Sequence, residues 1–248
     1  IRATRCVSGV PVAEVGTGGP LRQLPLAMRL RDDATFDNVY PWPALRPALA
    51  ALMAIFEPDA ERLLYLHGPS GAGKSHLLQG ACHEAGAEAL YLPLAELAAY
   101  PAADVLADSS ARRLLCIDDV QAVAGRTDWE RALFHSYNLA QQAGTTMLFA
   151  ATLPPRDLGV GLPDLESRLA GAVVFQLPEP DDGEKARILG FRAARRGLSL
   201  SDETARYIVT RAPRDLDGLL GILERLDEAS LEQQRALSIP FVKQVLGW

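Results

Sequence analysis

The sequence has few cysteines and no long apolar stretch. Its three cysteines, Cys6, Cys82 and Cys116, stand far apart without a C-x-x-C pair, so we interpret them as reduced residues in or near the core. No segment approaches the roughly eighteen continuous apolar residues that a membrane span needs. The first residues also lack the basic-then-apolar layout of a signal peptide. These features predict a cytoplasmic protein that does not contact a membrane.

The sequence also lacks an excess of positive charge. A net charge of -6 and an isoelectric point near 5.3 argue against a protein whose main role is to coat nucleic acid. The best local basic cluster is Arg187, Arg192, Arg195 and Arg196. We interpret it as a solvated helix face that pairs with Glu179 and Glu184.

A complete phosphate-loop motif is present. Residues 68–75, Gly-Pro-Ser-Gly-Ala-Gly-Lys-Ser, match G-x-x-x-x-G-K-[ST] and follow the strand-like run Leu63–Leu66. Glycines let consecutive N–H groups turn toward a polyphosphate, and the helix opening at His76 directs its positive end at the same charge. Lys74 would then reach the outer phosphates and Ser75 would bind Mg²⁺. The motif predicts a bound nucleotide, ADP or ATP, with Mg²⁺.

A second motif delivers two carboxylates. Four apolar residues, 114–117, are followed by Asp118 and Asp119 about forty residues after the phosphate loop. Such a run is typical of a buried parallel strand whose carboxyl end carries acids, where ligands of open α/β sheets collect. Asp118 would hold Mg²⁺ through water, and Asp119 would orient or deprotonate the attacking water.

Strand-like and helix-like stretches alternate up to Pro178, and only helical patterns follow. This alternation predicts an α/β fold with a five-stranded parallel sheet covered by helices, plus a small all-α C-terminal domain. The domains would be residues 1–31 (flexible), 32–178 (nucleotide-binding) and 179–248 (helical lid). The predicted strands are Leu63–Leu66, Ala89–Leu92, the run ending at Asp118, Thr145–Ala151 and Ala172–Leu177.

Two helical stretches of the α/β part carry specific expectations. A helix-biased stretch should run past Pro101 to about Ala111. A longer helix should span about Thr127 to Gln142, with Thr127 and Glu130 forming a capping box.

A short peptide precedes the folded part. Gln23-Leu24-Pro25-Leu26-Ala27-Met28 has apolar residues at alternate positions. It can be an edge strand or strap across the domain. It can also be a linear motif that inserts Leu24, Leu26 and Met28 into a partner's apolar pocket, with Gln23 as polar anchor.

The ordered motifs over about residues 23–247 resemble the AAA+ ATPases. Within them the sequence is similar to the replication initiator DnaA and, more closely, to the Hda-type regulatory inactivators of DnaA. Besides the phosphate loop, the residues that carry the resemblance are Thr35–Asn38, Leu115–Asp119, Pro154–Leu158, Leu165–Leu169 and Arg214–Gly218.

The resemblance implies roles for further residues. Arg168 looks like the arginine finger that is offered to a neighbour's nucleotide, and Arg214 like the lid arginine that senses phosphates. Thr152 stands at the sensor position after the fourth strand, where Asn or Asp is usual. Asp119 replaces the glutamate common in the wider superfamily, so we expect weak intrinsic ATPase activity at most. The implied nucleotide contacts are Val39, Pro69, Ser70, Gly71, Ala72, Gly73, Lys74, Ser75, His76 and Arg214.

The resemblance also implies partners. Hda-type proteins carry a glutamine-and-leucine motif that binds the DNA polymerase III sliding clamp (beta subunit), which favours docking by Gln23, Leu24, Leu26 and Met28. The implied function is to stimulate ATP hydrolysis by DnaA from the DNA-loaded clamp and so repress re-initiation. DNA would be contacted only through the clamp, and a homodimer is compatible. We expect no initiator-type DNA-binding domain after Trp248. Alternatives are a self-contained AAA+ ATPase, an initiator fragment or a helicase-loading adaptor.

Overall fold

A computed structural model describes residues 30–107, 109–213 and 215–248. The peptide with Gln23, Leu24, Leu26 and Met28 lies outside the described residues, and so does Arg214. The expectations for these positions therefore stay predictions.

The α/β part is built on one parallel sheet. Its strands are β1 Leu63–His67, β2 Ala89–Pro93, β3 Leu114–Asp118, β4 Thr146–Ala151 and β5 Val173–Gln176, in the spatial order β2-β3-β4-β1-β5. β3 and β4 are buried along their whole length, as expected for strands covered on both faces. All five predicted strands are present with small shifts at their ends, which confirms the predicted fold class.

Helices surround the sheet and form the whole C-terminal part. They are α1 Arg46–Met53, α2 Lys74–Ala85, α3 Leu94–Leu97, α4 Ala102–Val105, α5 Thr127–Ala143, α6 Pro163–Ala170, α7 Asp182–Arg195, α8 Asp202–Arg211, α9 Leu216–Gln233 and α10 Ile239–Leu246. The helix-biased stretch through Pro101 is two short helices, because Pro101 takes the extended N-cap position of α4. None of the described helices is long and apolar enough to cross a membrane.

Two apolar layers hold the sheet. One layer joins the face under α1 and α2 to the C-terminal helices, and it includes Leu78, Leu148, Leu189 and Phe241. The other layer packs α5 and α6 on the opposite face. Because the first layer is continuous, the helical C-terminal part buries apolar surface against the sheet. Each Å² of apolar area buried there contributes roughly 25 cal/mol to the stability of the fold.

The start of α5 differs from the prediction. The N-cap position is Arg126, and Thr127 is already the first helical residue, so the predicted capping box is wrong. Glu130 instead turns inward, where it is 4% exposed. Its carboxylate accepts hydrogen bonds from the N–H groups of Gly125 (2.7 Å), Gly161 (2.9 Å) and Leu162 (2.9 Å). Glu130 therefore joins the loop before α5 to the start of α6.

We expect Glu130→Ala to lower the free energy of unfolding by roughly 2–4 kcal/mol, because it leaves three backbone donors without their charged acceptor. Urea denaturation measures the change. Asp128→Ala is the matched control, since this neighbour is exposed and only forms a surface ion pair with Arg126. Equal losses in the two variants would contradict the structural role of Glu130.

Candidate nucleotide-binding site

A cavity of about 380 Å³ opens at the carboxyl edge of the sheet. The phosphate loop follows β1, Asp119 follows β3 and Thr152 follows β4, so the chain brings all three to this edge. The cavity is also lined by Val39, from the segment that precedes α1, and by Ile188 and Leu216 from the C-terminal helices. It therefore lies between the sheet and the helical C-terminal part.

The phosphate loop needs glycine at two places. A Cβ on Gly68 would lie 2.1 Å from the carbonyl oxygen of Leu177, so no other residue fits there without a backbone shift. Gly73 has a φ of 88° and caps the start of α2. This geometry leaves the N-terminal end of α2 open toward the cavity, which is the arrangement that favours an anion.

Lys74 lies at the floor of the loop with 6% of its surface exposed. Its Nζ donates to the carbonyl oxygens of Gly68 (2.9 Å) and Pro69 (2.8 Å). Burial lowers the pKa of Lys74, and the nearby carboxylates of Asp118, Asp119 and Asp217 oppose that change. The ammonium is held where a phosphate would give it a charged acceptor.

Asp118 is a buried carboxylate with only 1% exposed. It accepts hydrogen bonds from the Tyr91 hydroxyl (2.8 Å) and from the N–H of Asp119 (2.9 Å). Burial raises the pKa of Asp118, while its hydrogen bond with Ser75 lowers it. A cation beside Asp118 and Ser75 would offset this buried charge, so the two residues fit the predicted Mg²⁺ role.

The described residues contain no cluster of three or more His, Cys, Asp or Glu side chains that would hold a metal alone. Phosphate oxygens and water would complete the ligands of an ion at Ser75 and Asp118, as is usual for Mg²⁺.

Gln121, which the sequence reasoning missed, links two predicted catalytic residues. Its Nε2 donates to Asp119 Oδ1 (2.8 Å), and its Oε1 accepts from the N–H of Thr152 (3.1 Å). Asp119 has a φ of 54°, a left-handed conformation that is uncommon outside glycine and turns its carboxylate toward Gln121. Only the position of Gln121, two residues after the acid pair, signals this role in the sequence.

Arg192 contradicts the interpretation of a solvated basic cluster. It is 4% exposed, lines the cavity, and donates to Asp33 and to the carbonyl oxygen of Asn38 (3.1 Å). Burial raises the pKa of Asp33, but the hydrogen bond from Arg192 and the charge of Arg31 bring it below its ordinary value. The helical spacing of the sequence could have predicted the burial of Arg192, because this residue lies on the same face of α7 as the buried Ile188 and Leu189.

The predicted acidic partners of this cluster are also wrong. Glu179 pairs with Lys185 (2.6 Å), and Glu184 completes a capping box with Asp181. Of the other arginines of the cluster, Arg195 pairs with Asp37, and Arg196 pairs with Glu224 and Asp227. Arg187 is exposed, as the interpretation expected.

Most predicted nucleotide contacts meet at one place. Val39, residues 70–76, Asp119 and Thr152 all line the cavity. Pro69 contributes its carbonyl oxygen to Lys74, and Asp118 lies beneath the lining. Arg168 is not part of the lining. It is exposed at the end of α6, with its guanidinium 5.6 Å from the centre of the Tyr137 ring.

Comparison with known proteins defines the class. The structure is similar to domain III of DnaA from Thermotoga maritima, with a TM-score of 0.74, 23% identity and coverage of 88% of this chain and 98% of that one. For AMPPCP-bound DnaA from Aquifex aeolicus the TM-score is 0.68, with 23% identity and coverage of 82% and 68%. For RuvB from Thermotoga maritima the TM-score is 0.64, with 17% identity and coverage of 82% and 67%. The fold is that of a phosphate-loop AAA+ protein.

Sequence comparison narrows this class. The family model for the lid domain of Hda matches residues 182–246. An uncharacterized protein of Haemophilus influenzae is 39% identical over 230 residues, covering 91% of this chain and 99% of that protein. The chain belongs to the Hda-type, DnaA-related AAA+ proteins.

The buried charge of Asp118 predicts a pH dependence. Because its pKa is raised from the ordinary value of 3.8, the ionised form destabilises the nucleotide-free protein above that pH and costs nothing below it. Asp118→Asn removes this cost. The stability of the variant relative to the natural protein should therefore rise as the pH increases above 3.8, measured by urea denaturation. A difference that stays constant with pH would contradict the assignment.

Proposed function

We propose that this protein is a nucleotide-binding AAA+ regulator that stimulates ATP hydrolysis by the initiator DnaA while docked on the DNA-loaded sliding clamp. Its own ADP or ATP, with Mg²⁺, acts as a structural ligand, and the hydrolysis that matters takes place on DnaA. The observation that carries this proposal is the separation of Arg168 from the protein's own cavity.

The cavity supports nucleotide binding. Backbone N–H groups of residues 70–75 would hold the phosphates, Lys74 would contribute its charge, and Ser75 and Asp118 would hold Mg²⁺. Mg²⁺ would neutralise phosphate charge. Because the lining comes from both the phosphate loop and the C-terminal helices, a bound nucleotide would fix these two parts against each other.

The acid pair supports weak hydrolysis by the protein itself. Asp119 is shorter than glutamate, and Gln121 already occupies one of its carboxylate oxygens. A base held in this way is poorly placed to take a proton from water. The site is therefore better suited to keeping a nucleotide than to turning it over.

Arg168 supports action on a partner. It is exposed, it lies on a helix that Glu130 ties to α5, and it has no acidic partner within the described part of the chain. The Tyr137 ring supports the guanidinium without neutralising it. A free, always-charged guanidinium on a fixed helix is suited to the phosphoryl charge that develops in a neighbouring site.

Lys74→Ala should abolish nucleotide binding, because it removes the buried ammonium from the phosphate loop. Titration of the purified protein with a fluorescent ADP analogue in the presence of Mg²⁺ tests this expectation. Arg131→Ala, an exposed arginine on α5, is the control. Equal affinity in the Lys74 variant and the natural protein would contradict the site.

Arg168→Ala should abolish most of the stimulation of DnaA hydrolysis, because such fingers contribute on the order of a thousandfold in rate. The assay combines ATP-bound DnaA, clamp loaded on DNA and the variant, and measures released phosphate. Arg131→Ala is again the matched control. Stimulation that survives Arg168→Ala would contradict the finger assignment.

The same assay separates the alternatives. A self-contained ATPase would hydrolyse ATP without DnaA, at a rate per molecule that rises with its own concentration. A helicase-loading adaptor would bind helicase and leave DnaA hydrolysis unchanged. Either result would contradict the proposed regulatory role.

Docking on the clamp is tested with Gln23→Ala combined with Leu24→Ala. We expect loss of clamp binding and of clamp-dependent stimulation, because the polar anchor and one apolar contact are removed together. Binding to immobilised clamp is the direct measurement, and Arg29→Ala, just outside the peptide, is the control. Unchanged clamp binding in the double variant would contradict docking through this peptide.

A further inference from the structure

The entry linker, residues 31–38, lies along one polar stripe of α2, the helix that follows the phosphate loop. His76, Gln79 and His83 are spaced three and four residues apart and so share one helix face. His76 Nε2 donates to the carbonyl oxygen of Thr35 (3.0 Å), and His83 Nε2 donates to that of Arg31 (3.0 Å). Between them, Gln79 Oε1 accepts from the N–H of Arg31 (2.9 Å).

Packing fixes the linker at the same place. A Cβ on Gly80 would lie 2.9 Å from Cδ1 of Phe36, so the aromatic ring rests directly on the α2 backbone. The linker that carries the N-terminal segment into the fold is thus seated on the phosphate-loop helix through both hydrogen bonds and packing.

Gln79 continues this contact into the sheet. Its Nε2 donates to the Tyr91 hydroxyl (3.3 Å), and that hydroxyl donates to Asp118 Oδ2 (2.8 Å). Burial and the charge of Asp118 raise the pKa of Tyr91 far above its ordinary value, so the phenol keeps its proton. An unbroken hydrogen-bonded chain therefore runs from the backbone of Arg31 to the carboxylate of Asp118.

Gln79 is only 7% exposed, and the residues next to it in sequence, Leu78 and Gly80, are buried. A buried amide is costly unless it is hydrogen-bonded, and leucine would fill a similar space between a helix and a sheet. The two bonds of Gln79 satisfy one acceptor and one donor of its side chain. The residue type is explained by this link and not by packing.

We propose that Gln79 and Tyr91 are positioning residues that couple the seat of the entry linker to the metal-binding carboxylate Asp118. Tyr91 fixes the orientation of the carboxylate, and Gln79 fixes Tyr91 against the linker backbone. This inference rests on the proposed function in one respect, namely that Asp118 holds Mg²⁺. Since such coupling is reciprocal, Mg²⁺–nucleotide steadies the linker, and a well-seated linker strengthens Mg²⁺ binding.

The first test measures Mg²⁺ affinity. The full chain is saturated with a fluorescent ADP analogue and titrated with Mg²⁺, using Tyr91→Phe and Gln79→Leu. Each variant should weaken the apparent Mg²⁺ affinity about tenfold, the lower end of the usual effect of residues that orient a metal ligand. The double variant should lose little more than the larger single loss, because both act through one chain.

The second test measures hydrogen exchange at the Arg31 amide with and without Mg²⁺–ADP. In the natural protein, Mg²⁺–ADP should slow the exchange. Gln79→Leu should speed exchange under both conditions, because the acceptor is gone. Tyr91→Phe should keep the slow exchange of the nucleotide-free protein but lose the further slowing by Mg²⁺–ADP.

Tyr65→Phe is the matched control, because it removes another buried hydroxyl of the sheet, whose hydrogen bond goes to the carbonyl oxygen of Leu153. If it weakens Mg²⁺ binding as much as Tyr91→Phe, a general loss of stability explains the result and the coupling is overturned. The coupling is also overturned if Tyr91→Phe and Gln79→Leu both keep the Mg²⁺ affinity and the Arg31 amide exchange of the natural protein. Failure of the unmodified protein to bind nucleotide with Mg²⁺ would instead contradict the proposed function.

Discussion

The structure depends on a carboxylate that is buried where almost no water reaches it. Asp118 ends a fully buried strand with 1% of its surface exposed, and several polar groups surround its carboxylate. Tyr91 and the Asp119 amide donate to it, and the Lys74 ammonium lies within its field. Because these groups come from β2, from the acid pair itself and from α2, the position of the carboxylate fixes how three elements meet. Because burial raises the pKa of Asp118, its ionised form is less stable without a cation beside it, as expected where function requires strain.

A second buried charge joins the parts that surround the cavity. Arg192 on α7 reaches Asp33 and the carbonyl of Asn38 in the entry linker, while its side chain also lines the cavity. The linker is in turn seated on α2 by Arg31 and Thr35. Lid helix, linker and phosphate-loop helix therefore share one set of polar contacts. A nucleotide in the cavity would contact a lid helix and a phosphate-loop helix that the linker already connects. Its binding would therefore stabilise the existing arrangement of these helices.

The strands and the location of the site could be predicted from the sequence, because they depend on hydrophobic periodicity and on local motifs. Alternating elements gave the five strands, and the phosphate loop with Asp118 and Asp119 identified the edge where the cavity lies. Patterns did not predict where long polar side chains reach. Glu130 has the spacing of a capping box, yet its carboxylate turns to Gly161 and Leu162, which are distant in sequence. Arg192 resembled a surface arginine because its partner stands 159 residues earlier. Local sequence carries no information about such partners until the fold is known.

Glu130 and Arg168 show how the far side of the sheet can be organised for a different task. Glu130 holds the backbone at the start of α6, and Tyr137, two turns further along α5, lies under the guanidinium at the end of α6. Thus α5 supports α6 at both ends. A long side chain loses much conformational entropy when a partner immobilises it. Because α6 is already anchored and the Tyr137 ring lies beneath Arg168, this side chain would lose less conformational entropy when it binds a partner. The rigidity of α6 is therefore what would make an exposed Arg168 effective against a neighbour's phosphates.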